Sequence, residues 1–209
     1  KKYQNFKDNG GVFASIYPDS KYAIETIYWN FNKMTQFKKI NNEVFYTKNT
    51  ITQINEKDIS FLKTNIKNTE KRRIRLCTHL NEQDSLQEMF IALSNETYIR
   101  PHKHLNKPES LHVLEGSADV IFFDDIGKIV KIVSLSKNSS KSCFYYRISE
   151  PMYHTFIINS DIFIFHETTQ GPFKKSDTLY APWSPKEIEM DKIVKFVSEL
   201  KKSAKAFKN

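Results

Sequence analysis

Short apolar runs separated by polar turns dominate the chain from residue 73 to 168. Met89–Leu93, Ser110–Leu114, Asp119–Phe123, Ile129–Leu135, Ser142–Ile148, Thr155–Ile158 and Ile162–Glu167 are each rich in Ile, Val, Phe and Tyr. Such residues fit a pleated, half-buried surface. Asp124-Asp125-Ile126-Gly127 reads as a hairpin connection between two of these runs. So many short strands at this spacing predict a mainly β protein, an antiparallel sandwich or jelly-roll barrel. Three stretches have helical period instead. Ile24, Ile27, Tyr28 and Phe31 give residues 20–34 an aromatic face. Ile59, Leu62 and Ile66 form a shorter stripe behind Asn55, a candidate N-cap with Asp58 three residues on. Ile193, Val197 and Leu200 mark a C-terminal helix. It is expected to open at Ser184-Pro185, with proline in its first turn, and to fray into a basic end from Lys201 to Lys208.

Composition narrows the classes. The chain has 209 residues, 39% of them hydrophobic and 13% aromatic, enough for one packed core plus an extension. No run approaches the ~20 apolar residues of a membrane span. Cys77 and Cys143 are the two cysteines, without CxxC spacing. That argues against a disulfide framework and predicts a cytoplasmic protein. The net charge is +8. The densest basic cluster, Lys71-Arg72-Arg73-Ile74-Arg75, is short. No zinc-finger spacing or RNA-recognition motif accompanies it, so a nucleic-acid partner is not expected. An anionic small molecule, such as a sugar nucleotide, suits scattered basic charge better.

The chemistry concentrates in TYIRPHKHLNKPESLHVLEG. Residues i and i+2 of a strand face one side, so His102 and His104 aim two imidazoles at one point. Glu109 follows a turn marked by Asn106 and Pro108, and the next strand can return its carboxylate to that point. His154, in EPMYHTFIIN, is a fourth candidate. Imidazoles with a carboxylate suit a divalent transition metal with open positions: zinc, iron, manganese or nickel.

The first segment, closed by Gly116, resembles the first motif of the cupin superfamily, and Pro151, His154 and Asn159 resemble the second. In this chain Met152 or Tyr153 stands where the usual glycine lies between Pro and His, and the Asn comes one residue later. Residues 50–187 resemble more closely the WbuC-type cupin-fold metalloproteins. The matching pieces are RRIRLCTHLNEQDSLQEMFIAL, YIRPHKHLNKPE, VIFFDDIGKI, HETTQGPF and LYAPWSP. The resemblance implies a jelly-roll (cupin) barrel at residues 47–187, a metal site and an association with bacterial surface-polysaccharide biosynthesis. Residues 1–46 form an N-terminal extension outside it, and residues 188–209 a C-terminal helix and basic tail.

Further residues are expected around the metal. Arg73, Arg75, Cys77 and His79 share one face if their run is extended, and Arg75 and His79 can hold a phosphate or carboxylate. Tyr98 and Arg100 share parity with His102 and His104. Glu167 shares parity with Phe163 and Phe165 and points inward, as a general base or as the partner of an arginine. His112 and His166 have the opposite parity and point away. Three function classes stay open: a sugar or sugar-nucleotide isomerase or epimerase, an iron-dependent oxygenase, and a non-catalytic sugar-binding module with a structural metal. The apolar face of residues 20–34 predicts packing on the barrel or across a homodimer interface.

Overall fold

The computed structural model describes residues 36–105 and 107–208. Nine-residue strand β11 (Ile162–Gln170) is central to it. Phe163 and Phe165 point into the barrel, where they are almost wholly buried. β11 pairs antiparallel with β4 (Leu86–Ser94) on one side and with β6 (Glu109–Glu115) on the other. Beyond β4 lie β3 (Arg73–Cys77), β2 (Val44–Thr47) and β1 (Phe37–Lys39); beyond β6 lies β9 (Tyr145–Ile148). A second sheet runs β12 (Thr178–Tyr180), β5 (His102–His104), β10 (Tyr153–Ile158), β7 (Ser117–Phe123), β8 (Ile129–Ser136). The two sheets face one another as the expected jelly-roll barrel. β2 departs from the antiparallel pattern and runs parallel to β3.

β7 shows how the core is partitioned. Its Ala118, Val120 and Phe122 enter the space between the sheets with Leu111, Val113, Phe163 and Phe165. Its Ile121 and Phe123 face the other way, beneath the C-terminal helix with Leu200 and Ala204. Both faces are covered, so the strand's second half, Val120–Phe123, reads as a continuous apolar run. The expected Asp124–Gly127 hairpin joins β7 to β8. Asp124 Oδ1 accepts from the amides of Ile126 and Lys128, and Gly127 takes φ +91°. Gly116, at φ +80°, links β6 to β7. A Cβ there would lie 2.3 Å from the Ile162 carbonyl oxygen, so a side chain has no room.

Helix α1 (Glu56–Asn65) starts at the expected cap: Asn55 and Asp58 form a reciprocal capping box. Its Leu62 is fully buried, and the helix packs on β3 and β4. The last helix, α2 (Met190–Lys208), starts later than expected. The Pro185 carbonyl accepts from Tyr98, and Arg100 donates to Ala181 and Ser184, so tertiary hydrogen bonds hold this stretch outside a helix. The basic end is also ordered rather than frayed. Ala204 is buried, and Lys208 pairs with Asp119 at 2.6 Å. The helix expected over residues 20–34 lies outside the described residues. No described helix is long and apolar enough to cross a membrane.

Candidate metal centre

β5 places His102 and His104 on the inner wall of the second sheet. In β10 beside it, His154 stands directly opposite His102 in the antiparallel register. Cross-strand partners project to the same face, which brings the third imidazole to the first two. One nitrogen from each of His102, His104 and His154 lies within 4.8 Å of the others. Glu109 reaches the group from β6 in the facing sheet. Its carboxylate oxygens lie 3.3 Å from His104 Nε2 and 3.9 Å from His154 Nε2. All four expected ligands therefore converge, and the centre bridges the two sheets.

The hydrogen bonds around the imidazoles set their tautomers. His102 Nδ1 lies 2.9 Å from the Arg100 carbonyl and His154 Nδ1 lies 3.0 Å from the Met152 carbonyl. A carbonyl only accepts, so both Nδ1 atoms carry the proton and both Nε2 atoms present lone pairs. His104 Nδ1 lies 3.2 Å from the Thr178 hydroxyl, on β12. Tyr146, on β9, donates to Glu109 Oε1 at 3.1 Å. Such outer partners fix ligand orientation at metal sites.

The electrostatics agree with metal binding. Burial, then the neighbouring His154 and His104, hold His102 down to about 3. Burial likewise lowers His154. Both rings are neutral at neutral pH, the state a metal ligand requires. Burial works against ionising Glu109, but the hydrogen bond from His104 and the surrounding imidazoles outweigh it and hold the carboxyl at about 2. A buried carboxylate beside inward-facing imidazole nitrogens fits a divalent cation in both donor chemistry and charge.

The centre opens into a cavity of about 510 Å³ between the sheets. Arg75, His79, Arg100 and Glu167 line it; Tyr98 does not. Residues 97–101 are not a strand, so parity with His102 does not carry back to Tyr98. Its hydroxyl donates to Pro185 and its ring meets Phe196 of α2 edge-on. Arg100 is occupied with Ala181, Ser184 and the Tyr180 ring, tying the segment after β12 to the mouth. His112 and His166 pair on the outer face of the first sheet, as expected. Burial first, then the Glu109 carboxylate, push Glu167 up to about 8 against the pull of Arg75. Glu167 therefore holds a proton at neutral pH. Both basic and acidic side chains line it, so the cavity is not uniformly basic. Arg73 at the mouth is matched by Glu43 and Glu187. Arg75, two residues further along the same strand, has no carboxylate within ion-pair distance among the described residues.

Sequence reasoning missed Tyr146 and Thr178. Each touches a ligand from a strand remote in sequence, and neither sits in a local pattern that points to the site.

The family described as "Domain of unknown function (DUF6016)" matches residues 54–135, less than half of the chain. No curated protein matches. Several solved structures are similar over about half of the chain. Protein SO0799 from Shewanella oneidensis aligns with a TM-score of 0.41 and 11% identity, over 49% of this chain and 66% of that one. Oxalate decarboxylase from Bacillus subtilis aligns with a TM-score of 0.36 and 16% identity, over 47% of this chain and 24% of that one. The EutQ protein of Clostridium difficile gives 0.36 and 17%, over 49% and 70%.

Proposed function

We infer that the chain is a metal-dependent cupin enzyme acting on an anionic sugar or sugar nucleotide, by isomerisation or epimerisation, in bacterial surface-polysaccharide biosynthesis. The observation that carries this reading is the convergence of three imidazoles and one carboxylate on the inner wall of a sugar-sized cavity. A purely structural metal needs no such opening. His102, His104, Glu109 and His154 would hold the ion. When bound, a divalent metal polarises a carbonyl or hydroxyl oxygen. Arg75 and His79 would orient the anionic group. Glu167 is a buried carboxyl that keeps its proton at neutral pH, which suits it to giving or taking a proton at a substrate carbon or oxygen in the cavity. Arg100 would hold the mouth segment in place rather than touch substrate. The polysaccharide context rests on the WbuC-type resemblance of the sequence alone.

The test has two arms. Elemental analysis of protein purified without chelators should find about one equivalent of zinc, iron, manganese or nickel. Thermal-shift screening of metal-loaded protein against sugar nucleotides and sugar acids should then find a stabilising ligand. Oxygen-dependent turnover with bound iron would replace this reading by an oxygenase. Absence of metal and of any sugar effect would reject it.

A further inference from the structure

Arg73, Arg75, Cys77 and His79 form one row along the wall of the cavity. Arg73 is already ion-paired at the mouth, at 3.1 Å from Glu43. Among the described residues Arg75 makes one weak polar contact, 3.9 Å to the sulfur of Met89. His79 is buried, and its Nε2 has no hydrogen-bond partner among the described residues. His79 Nδ1 lies 3.0 Å from both the carbonyl oxygen and the amide nitrogen of Glu88, so it is satisfied with or without the ring proton. In the tautomer that accepts from the Glu88 amide the proton is on Nε2, and the unpartnered atom is a buried N–H donor. A buried donor without an acceptor is destabilising unless a ligand supplies one. Burial first, with Arg75's charge a smaller contribution, lowers the pKa of this ring, so the wall presents the full positive charge of Arg75 beside a neutral imidazole.

Resting on the anionic-sugar reading above, we propose that Arg75 and His79 form a carboxylate subsite apart from the metal centre, and that the ligand is a sugar acid held by its carboxylate there and by a hydroxyl or carbonyl oxygen at the metal. A carboxylate is planar and monoanionic, and the guanidinium fork matches both its oxygens. A phosphate monoester carries up to two charges. It would need further cations or a cluster of amide donors; Arg73 in the same row is already paired with Glu43, and the register partners of Arg75 and Cys77 are Ile91 and Met89. Burying the second charge beside one guanidinium would cost more than it returns.

The experiment is calorimetric titration of the zinc-loaded full chain with glucuronate, glucose 1-phosphate, glucose and acetate, repeated on Arg75→Met, Arg75→Lys and His79→Leu. Glucuronate is expected to bind about tenfold or more tighter than glucose or glucose 1-phosphate. Arg75→Met should abolish that preference, Arg75→Lys should restore part of it, and zinc content should not change in either. Acetate binding that depends on Arg75, without any sugar effect, would uphold the subsite and reject the sugar. Glucose 1-phosphate binding as tightly as glucuronate, or glucuronate binding unchanged in Arg75→Met, would overturn the subsite and leave the sugar reading standing. Absence of binding by all four probes would overturn the proposal.

Discussion

His104 is held from two sides. Its Nε2 faces Glu109 at 3.3 Å and its Nδ1 faces the Thr178 hydroxyl at 3.2 Å. The outer bond is expected to matter nearly as much as the ligand itself. Thr178→Val should weaken metal affinity about 10–100-fold in a chelator competition, while His102→Ala and His154→Ala should each lose most of the metal by plasma emission. Full metal retention in both alanine variants would reject the assignment. Glu167 supplies a prediction with a definite sign. Its carboxyl goes from an ordinary 4.5 in the unfolded chain to about 8 in the folded one. Folding therefore loses stability as pH rises from about 4.5 to about 8, because the unfolded chain ionises first. In metal-free protein, Glu167→Gln should raise the melting temperature clearly at pH 9, by the equivalent of a few kcal/mol, and change it little at pH 4.5. Equal shifts at both pH values would show that the burial cost of the charge is small.

At the scale of elements, legibility followed locality. β4, β6, β7, β8, β10 and β11 stand out because alternation or apolar continuity over six to nine residues marks them. The candidate metal ligands stand out because His102 and His104 share a strand face and Glu109 follows one turn later. β1, β2 and β12, three or four residues each, are too short to carry a period. The start of α2 was obscured because side chains from outside the segment, Tyr98 and Arg100, decide where Pro185 and Ala181 spend their carbonyls. α2 itself gives an ordered pair of expectations. Leu200→Ala removes a buried side chain over Ile121 and Phe123, at about 2–4 kcal/mol. Lys208→Met removes a partly exposed ion pair to Asp119, at about 1 kcal/mol or less. Urea unfolding should rank them in that order. A larger loss from Lys208→Met would mean that Asp119 depends on this lysine rather than on Ser134 and Asn159.

For the whole molecule, the sheet continues through β1 and β2 ahead of the strand that carries Arg75. Two truncations separate the roles of the N-terminal residues. A chain starting at residue 36 is expected to keep metal binding and cavity. A chain starting at residue 47 loses most of β2, uncovers the edge of β3 and removes Glu43 from Arg73, so it should melt lower and aggregate more. Equal melting of the two would show that β2 is dispensable. Sedimentation of the same proteins against the full chain tests the homodimer expected from residues 20–34.

The pairing of β12 with β5 bears on synthesis. All four candidate ligands leave the ribosome before Thr178 does, yet Thr178 and its strand flank the segment that carries two of them. A nascent chain can display every ligand and still lack the strand that steadies His104, so tight loading is expected to be a late event. A fragment ending at residue 176 should bind zinc more weakly than the full chain in a chelator competition. Equal affinity would mean that the ligands assemble without waiting for the C-terminal strand.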